Sequence, residues 1–273
     1  MRFIRSVLQA AVEPKRTLQR SATLALRALT GMNNVVIDIR RRRHYSPTGR
    51  RLFDEVAERA LTRTDISDHL KTMFVEALAI RPSVIVELGV RGGESTFALE
   101  RAAALCGSTL ISVDIQTCLR KSQYSKWRFV QDNDVAFAKH FPAWCRDQQI
   151  PPLIDVLFVD TSHEYAHTLQ EIDLWFPHLA PHSKVLFHDT NMRRLYFRKD
   201  GSMGVGWRNG RGVIAPLEQY LGRQFNERED FVDWSGEWIV RHHPACSGLT
   251  ILERITDQLR AGEIHDASLR SAS

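Results

Sequence analysis

Between residues 83 and 189 the chain alternates short apolar runs with longer segments of helical periodicity, and this pattern constrains the fold more than any other feature. Such an alternation is typical of a parallel sheet whose crossover helices cover both faces. The predicted strands are Val84–Leu88, Leu110–Asp114, Phe129–Gln131, Val156–Asp160 and Val185–His188. We therefore expect an α/β fold with a Rossmann-like, doubly wound and mostly parallel sheet.

The remaining elements surround this series. Helical periodicity precedes, separates and follows the strands in four segments: Leu52–Ala79, Ser95–Leu105, Val135–Phe141 and His163–Leu179. After Asp189 we predict a Gly- and Arg-rich stretch, a helix near Val213–Leu221 and strands at Trp238–Arg241 and Leu249–Leu252. Ligands of doubly wound folds bind at the carboxyl ends of the strands, so we expect the functional residues there.

Charge divides the chain into an arm and a body. Residues 1–50 contain eleven Lys or Arg and two acidic residues, a net charge of +9, whereas the whole chain carries +5. We expect a basic, helical arm and linker over residues 1–50, one domain over 51–255 and a polar tail over 256–273. The run Arg40–Arg43 can attract anionic lipid headgroups or nucleic acid, and a solvated cap helix is the alternative.

The sequence lacks the usual marks of export. No run of about 18 apolar residues occurs, and the first residues do not follow the basic, apolar and small-residue order of a secretory signal. The four cysteines show no CxxC spacing, so we expect free thiols. These features predict a cytoplasmic protein, peripheral to the inner face of the membrane if the arm binds lipid. A homo-oligomer is compatible with them.

A glycine-rich turn follows the first predicted strand. The segment runs Val86-Glu87-Leu88-Gly89-Val90-Arg91-Gly92-Gly93, so Glu87 ends the strand and Gly89, Gly92 and Gly93 follow it. Glycines at such a position let the chain turn sharply and let a ligand approach the backbone closely. We predict that Glu87 and the three glycines bind a nucleoside cofactor, and a tight turn without ligand contact is the alternative.

Acidic residues end the next two strands. Asp114 closes the second, where a carboxylate can accept hydrogen bonds from ribose hydroxyls. Asp132 and Asn133 follow the third, in position to meet an adenine edge, although ordinary loop polarity explains them equally well. A dinucleotide oxidoreductase is the competing interpretation, but the glycine spacing is not GxGxxG.

Two motifs carry a resemblance to a known family. Glu87-x-Gly89-x-x-x-Gly93 resembles motif I of class I S-adenosylmethionine-dependent methyltransferases. Asp160-x-x-His163-x-Tyr165 after the fourth strand, with His188-Asp189 ending the fifth, resembles the bacterial sugar and natural-product O-methyltransferases. The resemblance extends from about residue 84 to residue 189.

The resemblance implies S-adenosylmethionine as cofactor and O-methylation of a small molecule, sugar or glycan. It also implies a divalent cation, Mg²⁺ or another, held by Asp160 and Asp189, with His163 as the catalytic base and Asp160 as a catalytic residue. His188 is the candidate third ligand, at a position where some relatives have an acid, and a structural histidine is the alternative. Carboxylates at adjacent strand ends are the oxygen ligands that Mg²⁺ prefers. A bound cation would lower the pKa of the acceptor hydroxyl. Helix N-capping is the alternative role for Asp160.

The Gly- and Arg-rich stretch is the candidate acceptor-binding loop. Its aromatic and guanidinium groups suit stacking on a sugar and binding of an anionic group. We predict substrate contacts from Tyr196, Arg198, Trp207, Arg208 and Arg211. Surface turns without ligand contact are the alternative.

Two other functions compete with methyl transfer. His163-Glu164-Tyr165-Ala166-His167 matches the HExxH pattern of zinc proteases, but Gln170 and Asp173 do not provide the usual extension. A non-catalytic module that binds a nucleoside, or associates with nucleic acid through the basic arm, is the other candidate.

Overall fold

A computed structural model describes residues 21–34, 37–38 and 48–255, and an eight-stranded sheet forms its centre. The strands of the sheet are β1 (Val84–Leu88), β2 (Thr109–Asp114), β3 (Trp127–Gln131), β4 (Ile154–Val159), β5 (Leu179–His188), β8 (Phe231–Ser235), β9 (Trp238–His243) and β10 (Leu249–Arg254). A separate hairpin consists of β6 (Leu195–Phe197) and β7 (Met203–Val205).

The strand order is β3-β2-β1-β4-β5-β10-β9-β8. The first five strands are parallel, and β10, β9 and β8 extend the sheet in antiparallel fashion. This confirms the predicted Rossmann-like, doubly wound and mostly parallel sheet. The chain reverses its winding direction between β1 and β4, and a ligand crevice is expected at such a switch point.

Helices cover both faces of the sheet. They are α1 (residues 21–34), α2 (Arg51–Arg59), α3 (Leu70–Ala79), α4 (Glu94–Cys106), α5 (Asp134–Ala138), α6 (Phe141–Asp147), α7 (Tyr165–Trp175) and α8 (Ile214–Leu221). Alternate residues of β1 enter different cores: Val84, Val86 and Leu88 pack with α5 to α8, whereas Ile85 packs with α2, α3 and α4. Because both faces are covered, all of β1 is buried and polar ligands can reach it only at its end.

Three helices differ from their predicted bounds. The helix predicted over Val135–Phe141 ends at Ala138 as α5, and α6, which begins at Phe141, was not predicted. The expected helix over Leu52–Ala79 is two helices, α2 and α3, separated by a polar connection in which Ser67 Oγ donates to Thr64 O at 3.3 Å. Such side-chain hydrogen bonds to the backbone compete with helix formation. The helix predicted from His163 begins at Tyr165, because His163 has a left-handed φ of 59°.

The described part of the arm contacts the β6–β7 hairpin. Asn34 Nδ2 donates to Met203 O, and Met203 N donates back to Asn34 Oδ1, both at 2.9 Å. The arginine run Arg40–Arg43 and the tail over 256–273 lie outside the described residues. Among the helices that the structure describes, none has the length and apolar character needed to cross a membrane. All four cysteines are free thiols.

Candidate active site

A cavity of about 410 Å³ opens at the carboxyl ends of β1, β2, β3 and β4. Of the residues predicted from the sequence, those that line it are Gly89, Gly92, Asp114, Asp132, Asn133, Asp160 and His163. We call it the acidic cavity because six lining residues are acidic, namely Asp65, Glu94, Asp114, Asp132, Asp134 and Asp160. The structure thus brings five of the seven predicted cofactor residues and the predicted catalytic pair into one space, whereas Glu87 and Gly93 do not line it.

The glycine turn joins β1 to α4 along one wall of this cavity. Gly89 has a φ of +87°, and a Cβ there would collide with the carbonyl group of Asp160, so the turn packs directly on the chain that follows β4. Gly92 differs, because a Cβ at that position would meet only open space. The close approach at Gly89 is therefore to protein, whereas Gly92 leaves room on the cavity side.

Asp114 holds the glycine turn from the end of β2. Its Oδ2 accepts hydrogen bonds from Val90 N at 2.8 Å and Arg91 N at 2.9 Å, and its Oδ1 accepts one from Gln116 N at 2.8 Å. A carboxylate has about four acceptor sites, so capacity remains for a ribose hydroxyl. Asp114 both lines the cavity and fixes the shape of the turn, and the sequence indicated only the first role.

The two polar residues after β3 line the same cavity and differ in their local contacts. Asn133 Oδ1 accepts a hydrogen bond from Ala136 N at 2.9 Å and so caps the N-terminus of α5. Asp132 Oδ1 accepts from Asn133 N at 2.7 Å. The predicted contact of Asp132 and Asn133 with an adenine base remains a prediction.

Glu87 does not line the cavity, in contrast to its predicted contact with cofactor. Its side chain is fully buried and accepts hydrogen bonds from Thr96 Oγ1 at 2.9 Å and Ser112 Oγ at 2.5 Å. Its place within β1, a strand covered on both faces, directs the carboxyl group toward α4 and β2. Burial raises the pKa of Glu87 to about 7.

We predict that Glu87→Gln changes the pH dependence of stability. Because the pKa of Glu87 is about 7 in the folded protein and 4.5 ordinarily, folding binds a proton, and stability falls as the pH rises from about 4.5 to 7. Relative to the wild type, the variant should gain about 1–3 kcal/mol between pH 4.5 and pH 8. Urea unfolding at both pH values measures this gain. If the difference in the free energy of unfolding between the variant and the wild type did not change with pH, burial would not raise the pKa of Glu87.

The candidate reaction centre, which consists of Asp160, His163, His188 and Asp189, lies where β4 and β5 end. His163 Nε2 is 2.9 Å from Asp160 Oδ1 and 2.9 Å from Asp189 Oδ2. His163 and Asp189 both have left-handed backbone conformations, with φ of 59° and 58°. Strained residues of this kind cluster at functional sites, and here the left-handed turn directs the His163 ring back over the strand ends.

A second histidine faces the same carboxylates. His188 Nδ1 is 3.3 Å from Asp160 Oδ1 and 3.4 Å from Asp189 Oδ1. The His188 ring is buried, and its Nε2 has no hydrogen-bond partner among the described residues. Burial alone lowers the pKa of both histidines, but the two carboxylates outweigh it, so the pKa of His188 is raised and that of His163 is about 9.

The geometry of the centre fits a divalent cation. Asp160, His163 and Asp189 each offer one ligand atom, and these three atoms lie within 4.8 Å of one another. Asp189 is buried, and its Oδ1 accepts no hydrogen bond from the described residues. Two carboxylates and one imidazole suit Mg²⁺ or Mn²⁺. The sequence named His188 as the third ligand, whereas His163 is the histidine in this convergent set.

The HExxH pattern does not form a zinc site. His167 Nε2 faces Asp134 Oδ1 at 3.1 Å and Glu171 Oε1 at 3.7 Å, whereas His163 precedes α7 and faces Asp160 and Asp189. The two histidines therefore belong to different clusters, which contradicts the protease alternative. The Asp134–His167–Glu171 cluster was not predicted from the sequence, although His167 and Glu171 are four residues apart on one helix.

The predicted acceptor-binding residues divide into three groups. Tyr196 and Arg198 are buried and stabilise the hairpin: Arg198 donates to Met203 O at 2.9 Å and to Tyr196 Oη at 3.2 Å. Because these groups are already bonded within the fold, their placement does not support substrate contact. Trp207 is exposed, and its ring lies edge-on to that of His163 with centroids 5.8 Å apart.

Arg208 and Arg211 form the third group and line a second cavity of about 590 Å³. We call it the arginine cavity, because its lining includes Arg193, Arg194, Arg208, Arg211 and Arg228. Arg193, Arg194 and Arg228 were not predicted. The pair Arg193-Arg194 was visible directly after β5, but Arg228 lies in a distant segment and no local signal connects it to them.

Comparison with known proteins agrees with this arrangement. Residues 86–190 match the family model described as a methyltransferase domain. The matched range begins within β1, extends past β5 and contains all lining residues of the acidic cavity except Asp65 and Ile66. This part of the chain is thus similar to a methyltransferase domain. No curated protein matches the sequence significantly.

Solved structures of similar fold include three methyltransferases. One is from Geobacter sulfurreducens, at 12% identity over 77% of this chain and 92% of that chain, with a TM-score of 0.45. The second is PaMTH1 from Podospora anserina, at 16% identity over 77% and 89%, with a TM-score of 0.44. The third is the O-methyltransferase TomG from Streptomyces achromogenes, at 12% identity over 81% and 96%, with a TM-score of 0.48. Likeness at this level carries no information on the substrate.

Proposed function

We propose that this protein is an S-adenosylmethionine-dependent O-methyltransferase that acts on a hydroxyl group of a small molecule, sugar or glycan. One observation carries the proposal: the glycine turn with Asp114 and the Asp160–His163 pair line the same acidic cavity. A nucleoside bound at the first group has its reactive end within the space that the second group borders. The family match over residues 86–190 supports the same assignment.

The acidic cavity suits a cationic cofactor. S-adenosylmethionine carries a sulfonium methyl group, and its transfer to oxygen leaves the bonding electron pair on sulfur. Asp114 is placed to accept from the ribose hydroxyls, and Asp132 and Asn133 border the place of the base. The six acidic side chains favour a positive charge in this space. Arg91, whose Nη2 lies 2.7 Å from Asp65 Oδ2, adds a single cationic side chain to the lining.

The reaction centre supplies the proton acceptor. In the proposal, the hydroxyl proton of the acceptor passes to the neutral form of His163, whose fraction rises as the pH approaches its pKa of about 9, and Asp160 and Asp189 stabilise the resulting imidazolium, as carboxylates do in catalytic triads. Asp160 and Asp189, with a histidine from His163 and His188, would hold a divalent cation. When bound, such a cation lowers the pKa of a hydroxyl that contacts it. An imidazole whose Nε2 ligates a cation cannot accept a proton there, so His163 has one of these two roles at a time.

Calorimetry with S-adenosylhomocysteine tests the cofactor assignment. We expect binding by the wild type in preference to NAD, and a loss of roughly 1.5–3 kcal/mol per missing charge-assisted hydrogen bond in Asp114→Ala. Because Asp114 also holds Val90 N and Arg91 N, a weaker affinity alone does not identify a ribose contact. A 2′-deoxyribose analogue of the ligand separates the two effects.

The analogue should bind the wild type less tightly than S-adenosylhomocysteine does, and Asp114→Ala should bind the two ligands about equally. If the analogue lost the same affinity in the wild type and in Asp114→Ala, the ribose hydroxyl would contact a residue other than Asp114. Preferential binding of NAD would contradict S-adenosylmethionine as the cofactor. Turnover separates the enzyme from a non-catalytic nucleoside-binding module. An untargeted comparison of methylated products in cells with and without the gene provides that measurement and identifies the acceptor.

A further inference from the structure

The arginine cavity lies outside the acidic cavity and is built from three separated segments. These are residues 190–195 after β5, residues 208–211, and Glu227 with Arg228 before β8. Five of the lining residues are arginines and one, Glu227, is acidic. Arg211 is paired with Glu218 at 2.8 Å and with Glu227 at 3.1 Å, so the only acidic lining residue is already engaged.

Three of these arginines, Arg193, Arg208 and Arg228, retain their charge for a ligand. Arg193 Nε donates to the neutral amide oxygen Oδ1 of Asn191 at 3.0 Å. Within the part of the chain that the structure describes, no carboxylate lies within ion-pair distance of Arg193, Arg208 or Arg228. Arg208 and Arg228 are exposed at the rim of the cavity. Guanidinium groups bind phosphate oxygens through two parallel hydrogen bonds, and several around one cavity suit a group with more than one negative charge.

The arginine cavity adjoins the reaction centre. Thr190 lines the cavity and is the neighbour of Asp189, and Asn209 Nδ2 donates to Asp189 O at 3.2 Å. Gly212 packs against the carbonyl group of His163 so closely that a Cβ there would collide with it. The loop that carries Arg208 and Arg211 is thus attached to both sides of the His163–Asp189 pair.

The two cavities have opposite charge on either side of that pair. The acidic cavity has six acidic residues and one arginine in its lining, and the arginine cavity has five arginines and one acidic residue. A cationic methyl donor is favoured in the first and an anionic compound in the second. The reacting hydroxyl would lie between them, beside His163 and Asp189.

We propose that the arginine cavity binds the phosphate or diphosphate group of the acceptor, and that the substrate is a phosphorylated hydroxyl compound; this rests on the proposed function. The position of the anionic group selects which hydroxyl of the acceptor reaches His163. The reaction that supplies the substrate is then a phosphorylation or a transfer that leaves a phosphate or diphosphate linkage in place.

Calorimetric titration of the full chain with pyrophosphate in metal-free buffer tests the site, with chloride used to match ionic strength. We expect saturable 1:1 binding by the wild type, weakened roughly tenfold or more for each arginine removed in Arg208→Gln and Arg228→Gln. Arg146→Gln is the matched control, because Arg146 is an exposed arginine on α6 that lines neither cavity. Both test residues are exposed, and S-adenosylhomocysteine binding reports that each variant is folded.

Three outcomes would overturn the proposal: no pyrophosphate binding, equal binding by all variants, or displacement of S-adenosylhomocysteine by pyrophosphate, which would place the anion in the acidic cavity. Binding of a single-stranded oligonucleotide that is lost in Arg208→Gln, without binding of pyrophosphate, would assign the surface to nucleic acid instead. Acetate should not compete, because a single carboxylate carries one charge. Failure of S-adenosylhomocysteine binding with pyrophosphate binding intact would contradict the proposed function and leave the anion site standing.

Discussion

Replacement of His163 by Ala is expected to lower methyl-transfer turnover by about 10²- to 10⁴-fold while leaving the affinity for S-adenosylhomocysteine nearly unchanged. The reason is positional, because His163 lies at the wall shared by the acidic cavity and the carboxylates of Asp160 and Asp189. Loss of the imidazole removes the proton acceptor without altering the glycine turn or Asp114. Single-turnover rates with the acceptor found by the product comparison, together with calorimetry, measure both quantities.

His167→Ala is the matched control for this prediction. His167 also lines the acidic cavity, but its ring faces Asp134 and Glu171 and not the reaction centre. We expect the turnover of His167→Ala to stay much closer to that of the wild type than the turnover of His163→Ala does. Wild-type turnover in His163→Ala would exclude His163 as the base.

Removal of the metal tests whether His163 acts as a cation ligand or as the proton acceptor. If Asp160 and Asp189 hold a divalent cation, a chelator should abolish turnover and added Mg²⁺ should restore it, whereas Asp160→Asn should abolish turnover that added Mg²⁺ does not restore. Turnover that a chelator leaves unchanged would exclude a cation from the mechanism. In that case the carboxylates act only on the His163 imidazole.

Replacement of Glu76 by Ala is expected to lower the free energy of unfolding by about 3–5 kcal/mol, the usual cost of removing one partner of a buried ion pair. Glu76 on α3 accepts from Lys184 Nζ at 2.7 Å and from Arg241 Nη1 at 2.7 Å. Lys184 is 4% exposed, so its ammonium group would be left in the core between α3 and the sheet. Glu253 lies 3.4 Å from Lys184 and compensates in part, which favours the lower end of the range.

Two variants control for this effect. Glu253→Ala removes a more exposed carboxylate from the same network and should cost less. Glu76→Leu combined with Lys184→Met removes both charges and should recover most of the loss, because an apolar pair avoids the desolvation cost. Urea unfolding measures all three proteins, and a loss below about 1 kcal/mol in Glu76→Ala would show that the network contributes little.

The pH dependence of this network has a definite sign. Burial raises the pKa of Glu76, but hydrogen bonds from Arg241 and Lys184 outweigh it, so the pKa in the folded protein is lower than the ordinary 4.5. The stabilisation is therefore present above about pH 4.5 and is lost as the pH falls through the lower folded value. Below about pH 4.5, the free energy of unfolding of Glu76→Ala should therefore fall less with decreasing pH than that of the wild type.

The sequence by itself determined the fold class and the edge of the sheet at which the site lies. Strand and helix periodicities are local properties, so apolar runs located all five parallel strands, although β5 begins at Leu179 and its first part was not predicted. The predicted site residues Gly89, Asp114 and Asp160 lie at strand ends, and the carboxyl ends of parallel strands meet at one edge. Their proximity in the acidic cavity therefore required no knowledge of side-chain packing.

Only the tertiary structure decided what each side chain contacts. Both Glu87 and Asp114 were predicted to contact the cofactor. The Glu87 carboxylate is enclosed against Thr96 and Ser112 because β1 is a central strand, whereas Asp114 lines the cavity because the end of β2 is open. Long-range contacts likewise placed His163, and not His188, in the convergent ligand set, and brought Arg228 to Arg208 across the fold. Such contacts depend on the direction of a side chain relative to residues far away in the sequence, and no local pattern encodes that direction.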